Sequence, residues 1–166
     1  MKKLNFLFLF VFCSSIFSGA TLSLPAIAEE EGIKRIVYHA DFSNSRRFSA
    51  MLTSINNMAS HYENELQDYD IRIVFVSHGI RFLTDNKLKR TPFAEDSEYL
   101  SRRENIKGRL LSLQEVMGVK LELCNITRSQ INLPESDLYK SVELIPSGVV
   151  RIAELQNIGY AYIKIE

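Results

Sequence analysis

The sequence has 166 residues, a formal net charge of zero and 46% hydrophobic residues, which suits one globular domain with its own core. Its 20 basic residues are matched by 20 acidic ones, so the charge gives no support to a nucleic-acid partner. Neither internal repeats nor low-complexity segments are found. We therefore expect a single α/β domain rather than a repeat protein or a nucleic-acid-binding protein.

The first 28 residues have the order of a secretory signal peptide. Lys2 and Lys3 precede an apolar stretch, and Ala26 and Ala28 place small residues at the −3 and −1 positions of a cleavage site. The apolar stretch is interrupted by polar residues and falls short of the roughly 20 residues that a membrane span needs. We predict a cleaved signal peptide over 1–28, export to the periplasm and no stable membrane span afterwards.

Cleavage leaves residues 29–166 as one domain. The loss of two lysines takes the basic count from 20 to 18 against 20 acidic residues, a net charge of −2. Cys13 is also lost, which leaves Cys124 alone. Proteins in an oxidising compartment usually have paired cysteines or none, so a lone thiol is either buried and inert or exposed and reactive.

Strand and helix patterns alternate along the rest of the chain. Strands are predicted at 33–39, 71–77, 119–124, 142–145 and 160–165, and helices at 48–62, 100–117, 125–133 and 149–155. Five strands alternating with four helices predict a three-layer fold, with a mostly parallel sheet, helices on both faces and right-handed crossovers.

Three segments carry more specific expectations. Residues 71–77 are nearly all apolar beyond Arg72, which is typical of a central strand covered on both faces. In the strand 119–124, apolar residues alternate with Lys120 and Glu122, which indicates a half-buried strand. Residues 80–99 read as a long irregular loop, and such loops are usually lids, oligomer contacts or disordered.

Cys124 is the strongest candidate for chemistry. It is predicted at the carboxyl end of a strand, just before Asn125, a candidate N-cap for the next helix. That edge of a parallel sheet is where ligands collect, and unpaired helix amides there favour a thiolate. Arg128, one turn along, would add positive charge if its side chain folded back. The alternative is a buried structural cysteine, a common fate of this residue type.

Three further residues are considered for supporting roles. His39 and His78 end the first two strands, so either would act as a base toward Cys124 if it came within hydrogen-bond reach. The alternative is that both histidines are structural or on the surface. Ser147 is a candidate N-cap of the last helix. The sequence has no Gly-rich nucleotide loop and no metal-ligand spacing, so we predict neither a cofactor nor a metal.

The sequence resembles the DsrE/DsrF-like family. The resemblance is carried by Leu121–Asn125, Val142–Val149 and Glu154–Ile163, with similar strand ends at Ile36–His39 and Val74–Gly79, and it covers the whole mature chain. It implies a flavodoxin-like fold and assembly into homo- or hetero-oligomers such as trimers or hexamers. It also implies, for members in sulfur oxidation or tRNA thiolation, a cysteine that carries persulfide sulfur.

Cys124 matches that cysteine by its place between a strand and a short helix. The sequence departs from the family's cytoplasmic members in its predicted export, which would separate it from the partners of their sulfur relay. Two hypotheses follow. In the first, the protein traffics sulfur in the periplasm, as a carrier or at most a sulfurtransferase, with a sulfur donor or acceptor protein as partner. In the second, it is an oligomeric binding module with a structural cysteine, and residues 80–99 contact its partners.

Overall fold

The central feature of the fold is a five-stranded parallel sheet. The structure is a computed structural model that describes residues 32–166. The strands are β1 (Lys34–Ala40), β2 (Tyr69–Phe75), β3 (Lys120–Cys124), β4 (Val142–Ile145) and β5 (Ala161–Ile163), in the order β4-β3-β2-β1-β5. All four neighbouring pairs are parallel. The predicted signal peptide over 1–28 lies outside the described residues.

Four α-helices connect the strands. They are α1 (Ser45–Asn64), α2 (Ser97–Met117), α3 (Asn125–Gln130) and α4 (Gly148–Asn157), with short 3₁₀ segments at Ser77–Leu83 and Glu135–Asp137. This arrangement confirms the predicted α/β fold with five strands and four helices. No helix within 32–166 is both long enough and apolar enough to cross a membrane.

Helices α1 and α2 cover one face of the sheet and build the larger core. Asn44 caps α1 by accepting a hydrogen bond from the Arg47 amide at 2.9 Å. The apolar side of α1 faces the sheet, and its residue Phe48 stacks on Phe82 with ring centroids 3.9 Å apart. The buried residues on this side of the helix include Phe48, Met51, Leu52, Ile55 and Ala59. Residue Ile73 of β2 lies between Tyr38 of β1 and Leu121 of β3. The strand predicted at 71–77 is thus central to the sheet as expected, although it begins and ends two residues earlier, at Tyr69 and Phe75.

Helix α4 covers the opposite face. Ile152 and Leu155 of this helix pack on Val37, Val74 and Ile145 from three strands in a second, smaller core. Helices therefore lie on both faces of the sheet, as the alternating pattern predicted.

The prediction of a loop over 80–99 was wrong at both ends. Residues 80–83 belong to the 3₁₀ segment Ser77–Leu83, and Ile80 and Phe82 in it are fully buried. At the other end, Asp96 caps α2 by accepting a hydrogen bond from the Tyr99 amide at 2.8 Å, so that helix begins at Ser97. Only residues 84–96 are irregular. Much of the segment proposed for partner contacts is therefore core.

The chain leaves β3 and β4 toward opposite faces of the sheet. After β3, Ile131 and Leu133 pack into the larger core on the α1 and α2 side. After β4, the chain enters α4 on the other side. In parallel α/β sheets a crevice opens outside the strand ends where neighbouring connections diverge, and ligands bind there. In this protein that crevice lies beside the end of β3.

Candidate functional site

Cys124 is the last residue of β3 and lies at this crevice. Its position at the carboxyl end of a strand is as the sequence predicted. It is also the N-cap of α3, with φ −59° and ψ 113°, so the predicted cap at Asn125 was one residue late. Asn125 is the first residue of the helix, and its Oδ1 accepts a hydrogen bond from Arg128 Nε at 2.8 Å. The cysteine is a free thiol in a residue only 4% exposed.

Two helix starts lie beside the Cys124 sulfur. The backbone N–H groups of Ile126 and Thr127 in α3, and that of Gly148 in α4, lower the pKa of the thiol, although the Cys124 side chain makes no capping hydrogen bond to α3. Such N–H groups have no partner inside their own helix and are free to donate. The Thr127 hydroxyl also lowers the pKa of the thiol. Because Thr127 Oγ1 already accepts the Ser77 N–H at 3.0 Å, its hydrogen is available for donation.

These donors set the ionisation of the thiol. Burial raises the pKa of Cys124, but the hydrogen bonds from Gly148, Thr127 and Ile126 outweigh it and hold the pKa below its ordinary value. A lowered pKa increases the fraction of thiolate, which is the nucleophilic form of cysteine. The site is therefore chemically primed although the residue is nearly buried.

Gly148 allows α4 to begin directly over Cys124. A Cβ atom at this position would lie 2.5 Å from Val76 Cγ2, 3.2 Å from Cys124 Cβ and 3.4 Å from Val74 Cγ1. Only a residue without a side chain permits so close an approach. The preceding residue, Ser147, is the N-cap of α4 as predicted, although its side chain makes no capping hydrogen bond.

A cleft of about 260 Å³ opens beside the thiol. Its lining includes Cys124 and the apolar side chains of Val76, Phe93, Ile126 and Val149. Phe93 comes from the irregular segment 84–96, so part of that segment forms a wall of the cleft. Ile126 is 51% exposed and Val149 is 63% exposed at its rim. A small molecule would reach the sulfur through a largely apolar opening.

The structure does not bring His39 to Cys124. β2 lies between their strands, which separates them by two strand spacings, or roughly 10 Å. His39 Nδ1 is hydrogen-bonded to the Tyr162 hydroxyl at 3.0 Å, and its Nε2 is 3.9 Å from Asp41 Oδ2. Burial lowers the pKa of His39, and the nearby Asp41 opposes this only in part. The structure therefore does not support His39 as a base for the thiol.

His78 and Arg128 also make their contacts elsewhere. His78 Nδ1 is hydrogen-bonded to Ser77 Oγ at 3.2 Å, and its ring packs edge-on against Phe93 with centroids 5.3 Å apart. It therefore supports the wall of the cleft. Arg128 donates to the Leu133 carbonyl at 2.7 Å and lies 3.7 Å from Glu135. Its guanidinium is thus directed to the segment after α3 rather than folded back on the sulfur.

Sequence reasoning missed a buried charged cluster next to the site. Glu122 was expected on the exposed side of a half-buried strand, but it is fully buried. It accepts hydrogen bonds from Arg72 at 2.6 Å and from Arg151 at 2.8 and 2.9 Å. Burial raises the pKa of Glu122, and the two arginines more than offset this and lower it. The available signal was an acidic residue two positions before Cys124, on the same face of its strand.

Metal chemistry has no ligand set among the described residues. Within 32–166 no three His, Cys, Asp or Glu side chains are grouped so that they could hold a metal ion.

Fold and site together define a three-layer α/β protein with a cysteine at the carboxyl edge of a parallel sheet. At this edge the connections after β3 and β4 leave toward opposite faces of the sheet. A model of the DsrE/DsrF-like family matches residues 36–165. The chain belongs to the DsrE/DsrF-like family, as the resemblance in its sequence indicated.

Two similar proteins have no stated activity. An uncharacterised protein from Aquifex aeolicus (strain VF5) is 28% identical over 115 residues, which are 69% of this chain and 48% of that protein. The chain thus spans about half the length of this relative. The structure of MTH1491, a protein of unknown function from Methanobacterium thermoautotrophicum, is 26% identical with a TM-score of 0.60 and covers 79% of this chain and 98% of its own.

A second solved structure supports the fold alone. The ychN protein from E. coli is 18% identical with a TM-score of 0.51, and the match covers 80% of this chain and 99% of that protein. Both structural matches cover nearly the whole of the known structures and about four fifths of this chain.

Proposed function

We propose that this protein carries sulfur as a persulfide on Cys124 in a periplasmic trafficking pathway. The observation that carries the proposal is the Cys124 sulfur held between the starts of α3 and α4, with a lowered thiol pKa and a cleft beside it. Membership of the DsrE/DsrF-like family and the signal-like sequence over 1–28 support the sulfur chemistry and the compartment.

The chemistry is an exchange at sulfur. The Cys124 thiolate attacks the terminal sulfur of a polysulfide or of a donor persulfide and forms a new S–S bond. The donor's own S–S bond breaks, and its electron pair leaves with the donor as a thiolate or a shorter polysulfide. No outside oxidant is needed. The amides of Thr127 and Gly148 would stabilise negative charge on the sulfur before and after transfer. Delivery to an acceptor thiol is the reverse reaction with a different partner, so the protein is a carrier and at most a sulfurtransferase.

Intact-mass measurement tests this proposal. The purified protein is incubated with polysulfide, or with a persulfidated donor protein, and is expected to gain ~32 Da per sulfur atom at Cys124. Cys13 is replaced by serine wherever the first 28 residues are retained, so that Cys124 is the single thiol. Cys124→Ser should gain nothing. A native protein whose Cys124 is alkylated readily, yet takes up no sulfur from either donor, would refute the carrier role.

The second candidate function is a binding module of the periplasm in which Cys124 is structural. The observations that favour it are the 4% exposure of Cys124 and the exposed apolar residues Ile126, Val149 and Val150 around it. Assembly into a trimer or hexamer is part of both proposals and is tested by light scattering. The alkylation rate of the native protein separates them, because an inert buried thiol reacts only after unfolding.

A further inference from the structure

A buried ion pair joins α4 to the strand that carries the thiol. Glu122 lies on β3 two residues before Cys124, on the same face of the sheet, and is fully buried. Arg151 of α4 binds its carboxylate through two hydrogen bonds, of 2.8 and 2.9 Å, while Arg72 of β2 donates a third at 2.6 Å. A two-point arginine–carboxylate contact fixes orientation as well as distance.

Few apolar side chains of the first turn of α4 pack on the sheet. Gly148 has no side chain, and Val149 and Val150 are 63% and 53% exposed. The first apolar residue of the helix that packs on the sheet is Ile152. The backbone of Arg151 closes this turn by donating to the Ser147 carbonyl at 2.9 Å. The side chain of Arg151 therefore ties the turn to β3 through Glu122.

We propose that the Glu122–Arg151 pair, here called the α4 clamp, is a positioning device that holds the Gly148 amide against the Cys124 sulfur. Gly148 lies so close to Cys124 that a Cβ on it would be 3.2 Å from the cysteine Cβ, so a small movement of the turn changes the distance between the Gly148 backbone and Cys124. The inference rests on the proposed function in treating Cys124 as the reactive group. It concerns the ionisation of the thiol, which is measured without any sulfur donor.

A positioning role of the α4 clamp and a direct effect of its charges predict different alkylation rates for Cys124. Arg151→Lys keeps the positive charge but loses the two-point contact. If the clamp positions α4, this variant is alkylated about tenfold more slowly at a pH below the thiol pKa, the effect of weakening one hydrogen bond to a thiolate. If Arg151 acts only through its charge, the rate is unchanged. Glu122→Gln removes a nearby negative charge, so direct charge predicts faster alkylation and positioning predicts slower alkylation.

The experiment is the pH profile of iodoacetamide alkylation of Cys124 in the native protein. Arg109→Lys is the matched control, because Arg109 is a hydrogen-bonded arginine on the opposite side of the sheet, bound to Ser49 at 2.6 Å and to Thr53 at 2.7 Å. Its profile should be that of the unsubstituted protein. Circular dichroism establishes that each variant is folded. A folded Arg151→Lys protein with an unchanged alkylation profile overturns the proposal.

NMR provides a second measurement if Glu122→Gln does not fold. In the unsubstituted protein the Gly148 amide signal should shift as the Cys124 thiol titrates, and in Arg151→Lys this shift should shrink. An equal shift in both proteins contradicts the clamp. The two proposals also fail separately. Slower alkylation of Arg151→Lys without sulfur uptake by the unsubstituted protein supports the clamp and refutes sulfur carriage. Sulfur uptake by the unsubstituted protein, together with identical alkylation profiles for this protein and Arg151→Lys, supports sulfur carriage and refutes the clamp.

Discussion

Replacement of Gly148 by alanine tests the geometry on which the site depends. The added Cβ would lie 2.5 Å from Val76 Cγ2, whereas carbon atoms in contact are about 3.5–4.0 Å apart. The start of α4 or the Val76 side chain therefore has to move by about 1 Å. Overpacking of this kind costs about 1–3 kcal/mol, and the better helix propensity of alanine returns about 0.5–1 kcal/mol. We expect a net loss of about 0–2.5 kcal/mol in the free energy of unfolding.

The same movement should weaken the hydrogen bond from Gly148 to the Cys124 sulfur. A hydrogen bond to a charged group contributes about 1.5–3 kcal/mol, so losing part of it slows alkylation of the thiol about five- to tenfold below its pKa. Urea denaturation measures the stability, and the pH profile of iodoacetamide alkylation measures the thiol.

Gly108→Ala is the control for this substitution. Gly108 lies inside α2, and a Cβ there would meet nothing within 4 Å. Alanine should therefore stabilise the protein by about 0.5–1 kcal/mol without changing the alkylation profile. If Gly148→Ala proved as stable as Gly108→Ala and kept the original profile, the close contact between α4 and Cys124 would be refuted.

The other predictions concern hydrogen bonds and charge around the same strand. Thr127→Val removes the hydroxyl that accepts the Ser77 N–H and lowers the pKa of Cys124, so alkylation should slow about tenfold and the free energy of unfolding should fall by about 1–3 kcal/mol. Thr127→Ser should restore both, and failure to restore alkylation would contradict the hydroxyl's role. The pKa of Glu122 is lowered from its ordinary 4.5, so its contribution to stability is present above that pH and is lost as the pH falls through the folded-state value. Urea titrations at several acidic pH values should therefore show a shallower pH dependence for Glu122→Gln than for Glu143→Gln, its exposed neighbour on β4, and equal slopes would contradict the pairing.

The predicted elements that proved correct have long or uniform patterns. The apolar residues of α1 recur over four turns, and the predicted strand 71–77 is apolar without interruption from Ile73 to Val76, so each pattern is sufficient without knowledge of the fold. The 3₁₀ segment Ser77–Leu83 was missed because seven residues are too few to show a helical period. The burial of its apolar residues depends on the sheet and α1, which together form the core that they pack into.

The position of Cys124 was also predictable, because it depends only on where a strand ends. Its environment was not. The partners of Glu122 lie 50 and 29 residues away in the chain, and nothing local distinguishes a buried glutamate with two arginines from an exposed one. The nearness of Gly148 to Cys124 likewise depends on how α4 docks. Arg128 shows the opposite error. Its proximity in sequence suggested a contact with the Cys124 sulfur, but its guanidinium donates to Asn125 and Leu133 instead.

The burial of Cys124 is compatible with a reactive role. The atoms that shield its sulfur from water are not the atoms that lower the pKa of its thiol. A cysteine enclosed by hydrocarbon alone has a raised pKa and little thiolate. Here the sheet removes most of the sulfur's contact with water, while the amides of α3 and α4 replace that water as donors to the charged form. A fixed set of donors in a nearly dry site needs no rearrangement when charge develops. The cleft then limits which molecules reach the sulfur, so small reagents have an advantage over bulky ones. A purely structural cysteine would require neither the donors nor the opening.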